Sequence, residues 1–320
     1  MKRKFFAAAA AMLLLPMLSS CMKGMPEEKK KIAVITKSTT STFWHNVEKG
    51  VNAAATEHNI DVTFEGPESE EDYITQNMMI RRAAENGADA IVLSAIDYKK
   101  SADAVSKAHD SGIKIVIMDS AVDSTKINAV VGTDNSDAGK TAAMAAVSSF
   151  KDDEKKYIGI VNIDKNSYNV RRREQGFREY IQAVPNAEIV DTVNVSSNTG
   201  SATTGAVTML RNHPEINIIV GFNEWTTLGV GYAVRQMELS GKVRAIGFDT
   251  NVVSIAMLET GEMDALVVQN PFSMGYIGVE SAAKLISGKS TSENIVTETR
   301  VITKDNMFDE SSQKLLFPFE

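Results

Sequence analysis

From residue 32 onward the chain alternates short, Val- and Ile-rich runs with longer amphipathic stretches, and this alternation limits the possible fold more than any other feature. Runs at 32–36, 61–64, 90–94, 113–118 and 129–132, then at 157–163, 189–193, 216–222, 243–248 and 265–269, read as strands. Between most of them lie helix-length patterns at 43–58, 70–86, 99–111, 137–150, 171–183, 201–212, 224–239, 252–260 and 272–287. Repetition of strand and helix implies parallel sheets with helices on both faces, and strands that are apolar in unbroken runs are buried on both sides. Gly87, Gly112, Gly241 and Gly261 each separate a helical pattern from a strand, where a residue of positive φ commonly stops the helix. The order ends around Gly132-Thr133-Asp134-Asn135 and restarts with a second set of comparable length. The pattern predicts an α/β protein of two doubly wound halves with a boundary near residue 134.

The chain has enough apolar residues for such a core: 43% of its 320 residues are hydrophobic and 23% charged, which excludes a disordered chain. The net charge of −7 argues against nucleic acid as a partner, because neutralising phosphates requires an excess of Lys and Arg. Residues 1–20 have the form of an export signal. Lys2, Arg3 and Lys4 precede an apolar stretch, interrupted by Pro16, that is too short to be a permanent span. The signal ends in Leu18-Ser19-Ser20-Cys21, which resembles a bacterial lipobox, and Cys21 is the only cysteine. Lipidation of Cys21, with membrane attachment through that lipid, is expected. A lone cysteine forms no internal disulfide and no Cys-rich metal site. Residues 1–20 carry three positive and no negative side chains, so their removal leaves a formal charge of −10. Residues 21–31 then read as a polar tether.

Motifs for bond-making chemistry are missing. His45, His58, His109 and His213 lack metal-ligand spacing. Gly139-Lys140-Thr141 and Gly288-Lys289-Ser290 look like the end of a phosphate-binding loop, yet Asp134 and Ala283 stand where the loop needs its first glycine. Gly229-Val230-Gly231 lies in a helical pattern, with Val234 in place of the third glycine of a dinucleotide fingerprint. No G-x-S-x-G elbow occurs. A binding protein with no catalytic residues, metal or cofactor is the expectation.

Ligands of open α/β sheets bind beyond the carboxyl ends of the strands. In this chain those ends carry Lys37 through Trp44, Asp119, Asn223 and Glu224, Asp249, and Gln269 with Asn270, while Arg171 opens the helix after the strand at 157–163. Carboxylates, amides and an Arg fork suit a polyol, whose hydroxyls both donate and accept, and an aromatic face packs against the C–H side of a sugar ring. Each residue also has a plainer reading. Asp119 and Asp249 fit turns or caps, Phe43 and Trp44 fit core aromatics, and Arg171 to Arg173 fit a solvated basic face.

Several segments together carry a resemblance to a known family. They are Ile32-Ala33-Val34-Ile35 followed by Phe43-Trp44, Gly87-Ala88-Asp89-Ala90-Ile91, Ile115-Val116-Ile117-Met118-Asp119, Arg173-Glu174-Gln175-Gly176-Phe177, His213-Pro214 through Phe222-Asn223-Glu224, and Ile246-Gly247-Phe248-Asp249. Residues 31 to about 290 resemble the periplasmic sugar-binding proteins of the ribose/galactose type, relatives of the lac-repressor ligand domain. The resemblance implies the type I periplasmic binding protein fold, two lobes joined by a hinge that the chain crosses three times, near Asp134, Gln269 and Thr297. It divides the chain into an N-terminal lobe of 32–133 plus 270–296 and a C-terminal lobe of 134–269 plus 297–320. It implies that Phe43 and Trp44 stack on the ligand ring, that Ser41 and Asp119 contact it from the first lobe, and that Arg171, Asn223, Asp249 and Gln269 contact it from the second lobe and hinge. Ser120 stands where the ribose binders have Arg, and Ser197 where they have an aromatic, which points to a ligand other than ribose. The implied role is that of a monomeric extracytoplasmic substrate-binding protein that captures a monosaccharide or related polyol and delivers it to an ABC permease. The alternative is presentation of the ligand to a membrane receptor for chemotaxis or signalling.

Overall fold

The computed structural model describes residues 29–163 and 166–317; the export segment and Cys21 lie outside the described residues. Strands β1 (Lys31–Ile35), β2 (Asp61–Glu65), β3 (Ala90–Leu93), β4 (Lys114–Met118), β5 (Ala129–Gly132) and β11 (Asn294–Val296) form one sheet in the order β11-β5-β4-β3-β1-β2, with every pair parallel. A second sheet has the order β12-β10-β9-β8-β6-β7. It is built from β6 (Lys156–Asn162), β7 (Ala187–Asn194), β8 (Ile218–Gly221), β9 (Arg244–Phe248), β10 (Ala265–Gln269) and β12 (Thr299–Thr303). Its pairs are parallel except β10 with β12, which is antiparallel.

Helices α1 (Thr42–Glu57), α2 (Tyr73–Glu85), α3 (Ala102–Asp110) and α9 (Pro271–Ile286) cover the first sheet. Helices α4 (Asn135–Val147), α5 (Tyr168–Ile181), α6 (Thr199–Asn212), α7 (Glu224–Gln236), α8 (Val252–Thr260) and α10 (Glu310–Leu316) pack with the second. The central strands β1, β3, β4, β8, β9 and β10 are buried on both faces, as their unbroken apolar runs require. In the first sheet, Val34, Val92 and Val116 pack toward Val47, Val51 and Met274. Their neighbours in the strands, Ile35, Ile91 and Ile115, pack toward Ile80 and Val105 on the other side, which is the period-two alternation of a strand. Each such side chain contributes about 1.5–3 kcal/mol of burial, an upper bound because the unfolded chain is not fully extended.

Three helix pairs pack through glycines. A Cβ on Gly50 would lie 2.0 Å from the Phe272 carbonyl oxygen, and one on Gly275 2.2 Å from that of Val47, so α1 and α9 touch backbone to backbone. In the second lobe Gly139 of α4 meets the Arg173 carbonyl of α5 and Gly176 meets that of Ser136, both with Cβ distances of 2.0 Å. The same reasoning accounts for Gly229 of α7, whose Cβ would fall 2.3 Å from the Ala202 Cβ. Close packing, not phosphate binding, is what Gly139 and Gly229 are for.

The chain passes between the sheets after β5, after β10, and between β11 and β12. There the Thr297 amide donates to the Gly132 carbonyl at 2.8 Å, and the Thr133 hydroxyl donates to Gln269 Oε1 at 2.8 Å. The structure adds β11, β12 and α10, which the sequence pattern did not predict. β11 is three residues long and largely exposed, so it has no hydrophobic period to detect. The helix expected over 70–86 starts at Tyr73, with Asp72 accepting from the Thr75 amide at 2.9 Å, which leaves Glu70 and Glu71 in the preceding loop. The helix expected from 171 starts at Tyr168.

Candidate functional site

The carboxyl ends of both sheets face one cleft, where the lobes leave a cavity of about 30 Å³, well below the range of small-molecule pockets. It is lined from the first lobe by Lys37 after β1, by Ser41, Phe43 and Trp44 at the start of α1, by Glu70, and by Asp119 after β4. From the second lobe come Asn169 and Arg173 of α5, Asn223 to Trp225 at the start of α7, and Asp249 after β9, with Gln269 at the hinge.

Asp119 and Asp249 occupy equivalent positions, each following the third strand of its sheet. Both have left-handed backbones, with φ of 59° and 63°, a conformation that costs a non-glycine residue about 1 kcal/mol or more. Asp119 accepts from Ser94 Oγ at 3.0 Å and from Asn169 Nδ2 at 3.0 Å. Lys37 Nζ and Arg173 Nη2 stand 3.9 and 3.8 Å from it. Asp249 accepts from Gln269 Nε2 at 2.6 Å. Burial pushes its carboxyl up to about 6, against the opposing pull of the Arg173 guanidinium and the Gln269 hydrogen bond.

Arg173 is 1% exposed and tied on every side. Its Nε donates to Asn135 Oδ1, Nη1 to the Phe222 carbonyl and Nη2 to Gln269 Oε1, at 2.8, 2.9 and 2.8 Å. The guanidinium carbon lies 4.8 Å from the Phe248 ring centroid. Lys37 Nζ donates across the cleft to Ser167 Oγ at 2.8 Å and Asn169 Oδ1 at 2.9 Å. Burial lowers its ammonium below the ordinary lysine range, with Asp119 opposing.

Phe43 and Trp44 meet edge to face at 4.9 Å and 89°, packed into the first lobe's core while bordering the cavity, so the core and site readings of this pair hold together. The Trp44 indole donates to Glu70 Oε1 at 2.9 Å, and Trp225 also hydrogen-bonds this carboxylate. Burial raises the Glu70 carboxyl above its usual range, with Lys37 pulling the other way. Ser41 and Asn223 serve as N-caps as well as cavity walls. Ser41 Oγ accepts from the Trp44 amide at 3.4 Å and Asn223 Oδ1 from the Thr226 amide at 3.0 Å.

Further contacts draw the lobes together. Glu224 accepts from the Thr42 and Phe43 amides at 3.3 and 3.1 Å, which places a carboxylate on the N-terminus of α1 in the opposite lobe, and it also accepts from Asn251 Nδ2 at 2.8 Å. The Ser197 amide donates to Glu71 Oε1 at 2.7 Å. Tyr98 and Tyr168 stack across the cleft at 5.2 Å.

Of the residues singled out in the sequence, Ser41, Phe43, Trp44, Asp119, Asn223, Asp249 and Gln269 line the cavity, and Arg171 does not. Arg171 lies over Tyr98 and Tyr168, at 5.4 and 5.7 Å, on the first turn of α5. The arginine that borders the cavity is Arg173, beside Lys37. The inward stripe of α5 is Val170, Arg173, Phe177 and Ile181, spaced three and four apart, and Arg173 is the charged member of an otherwise apolar row. That anomaly was legible in the sequence. Lys37 and Glu224 also stand at strand ends, whereas Glu70, Asn169 and Trp225 carry no comparable signal.

Among the described residues no helix is long and apolar enough to cross a membrane, and no group of His, Cys, Asp and Glu is placed to hold a metal. The chain is 26% identical to the D-ribose/D-allose-binding protein of Pseudomonas aeruginosa over 82% of its own length and 84% of that protein's. It superposes on a carbohydrate transporter solute-binding protein of Agrobacterium radiobacter, solved with D-arabinose, with a TM-score of 0.88 at 27% identity, covering 91% of this chain and 99% of the other. An ABC transporter solute-binding protein of Agrobacterium vitis with bound D-fucose gives a TM-score of 0.86 at 33% identity, covering 90% and 100%. Residues 32–290 match the family model described as the periplasmic binding protein domain. Two sheets of matching order, an interlobe cavity and that match place the chain in the periplasmic binding protein family, a family of binding proteins rather than enzymes.

Proposed function

We propose that this protein captures a monosaccharide or related polyol between its lobes and delivers it to an ABC importer on the extracytoplasmic side of a membrane, to which the lipid on Cys21 holds it as a monomer. The observation that carries the reading is the cavity wall, where Asp119 from one lobe, Asp249 from the other and Gln269 at the hinge surround one space bordered by Phe43 and Trp44. Carboxylates and amides held by buried hydrogen bonds can satisfy adjacent hydroxyls, while the aromatic edge takes the C–H face of a ring. The sugars named for the Pseudomonas and Agrobacterium proteins support the same ligand class.

No step here is catalytic. A ligand that touches both lobes binds the closed form more tightly than the open one and shifts the hinge by that difference. The closed form in turn offers a permease one composite surface. Thermal-shift and calorimetric titration against D-ribose, D-allose, D-arabinose, D-fucose, D-galactose and D-glucose test the ligand class, because a ligand of the folded state raises the melting temperature by mass action. At least one is expected to bind. Binding of none, by a folded protein, would overturn the reading. For the anchor, Cys21→Ser is expected to leave sugar affinity unchanged and to release the protein from membranes on fractionation; retention of the variant would contradict lipidation.

A further inference from the structure

At the pole of the first lobe opposite the cleft, the amino ends of β1 and β2 border a second concavity. Lys29 and Lys30, just before β1, and Lys284 and Lys289, at the end of α9, line a groove of about 390 Å³ together with the turn at 58–60 that leads from α1 into β2. That volume is within the range of small-molecule pockets, and none of the lining residues is acidic. Lys30 stands 3.7 Å from Asp89 and Lys284 2.8 Å from Glu280, both in partly exposed pairs of a kind that holds its members weakly. Lys29 and Lys289 are exposed. A plainer role for the lysines is to complement the C-terminal ends of α1 and α9, which reach the groove at His58 and Ser287. Each helix end carries only about half a negative charge, so four ammonium groups exceed that need by about three charges. This excess stands in a chain whose net charge is −7.

We propose that the groove takes the phosphates of anionic lipid headgroups and so seats the amino edge of the first lobe on the bilayer. The inference rests on the extracytoplasmic, membrane-side placement proposed above and adds a contact that needs no lipid on the protein. Two observations select a membrane as the occupant. The charge is complementary to an anionic surface, where each lysine is worth about fivefold in partitioning. The groove also lies where the tether enters the fold: Lys29 is eight positions after Cys21, within about 28 Å of it even in a fully extended chain, so an anchored protein keeps this face within reach of the headgroups. The cleft opens at the carboxyl ends of the strands, the other edge of the sheet, and stays accessible to sugar when the amino edge is seated.

The test is flotation of the chain from residue 22, which keeps every described element and has no cysteine to lipidate, with vesicles of phosphatidylglycerol and phosphatidylcholine or of phosphatidylcholine alone. Binding is expected to the anionic vesicles at about 50 mM NaCl and is expected to be lost at about 500 mM, where screening is short-ranged. Lys284→Glu with Lys289→Glu, and separately Lys29→Glu with Lys30→Glu, are each expected to weaken partitioning at least about twentyfold with the melting temperature unchanged. Lys99→Glu with Lys140→Glu changes net charge by the same amount at exposed positions outside the groove and is expected to weaken it far less. No binding to anionic vesicles by the folded chain overturns the proposal, as does equal binding to phosphatidylcholine alone. An equal loss in the control pair would reduce the effect to net charge and contradict the assignment to the groove. Displacement by inorganic phosphate at constant ionic strength would make the groove a site for a free anion and overturn its assignment to the membrane. Because the chain used carries no lipid and no sugar is present, failure here is separate from failure of the anchor or of sugar binding.

Discussion

Asp249 combines a left-handed backbone, near-complete burial and a single hydrogen bond, a costly arrangement for a residue that only fills space. Its carboxyl sits at about 6 in the folded chain against an ordinary 3.8, so the folded chain keeps this proton longer than the unfolded one. The contribution to stability is therefore complete below about pH 4 and is lost as the pH rises through about 6, leaving a penalty of up to about 3 kcal/mol at neutral pH from a shift of about two units. Asp249→Asn is expected to raise the melting temperature of the unliganded protein at pH 7.5, to have little effect at pH 4, and to weaken sugar binding tenfold or more. Melting curves at the two pH values with calorimetry on both proteins check this, and a variant no more stable at pH 7.5 than at pH 4 relative to its parent would contradict the buried-charge account. In the parent, sugar hydroxyls that donate to Asp249 favour its charged form, so affinity should fall as the pH drops below about 6. The two aspartates were legible because a strand end has a known place in this architecture. Glu70 was not, because its loop reads as helix until Asp72 is recognised as the cap.

At the level of elements, site geometry depends on how closely α4 and α5 approach. Arg173 projects from the crossing itself, and its own carbonyl lies where a Gly139 methyl would stand, 2.0 Å away. Gly139→Ala must push the helices apart, which overpacking data place at about 1–3 kcal/mol. Sugar affinity should fall as well, although residue 139 is not part of the cavity wall. Gly200→Ala is the control, since its methyl meets nothing closer than 3.5 Å, and it should leave both stability and affinity within experimental scatter. Denaturant unfolding and calorimetry on the pair decide; an unperturbed Gly139→Ala would mean that the helices have room to give. The sequence revealed the elements whose hydrophobic period is strong, such as α1 and β6, and placed β10 and α8 at their observed bounds. It did not reveal β11 or β12, whose strand character comes from pairing with β5 and β10 and not from their own patterns.

For the whole molecule, two sets of contacts between the lobes bear on the ligand site. Lys37, Asp119, Asn169 and Arg173 form a buried network at the cavity, whereas Glu224 holds the N-terminus of α1, the helix that carries Phe43 and Trp44. A carboxylate at a helix N-terminus contributes about 0.3–1 kcal/mol, up to about 2 when partly buried. Glu224→Gln keeps an acceptor oxygen but loses the charge, so it is expected to weaken every sugar that binds by one common factor, about fivefold for about 1 kcal/mol. Titration with two sugars of different configuration checks this, and a loss confined to one of them would make Glu224 a ligand contact in place of a latch. The account's central claim is that a ligand shared by Asp119 and Asp249 closes the lobes about the three crossings. Small-angle scattering with and without saturating sugar tests it most directly. The account predicts a smaller radius of gyration with sugar bound, and an unchanged radius in a sample whose occupancy is confirmed by calorimetry would contradict it.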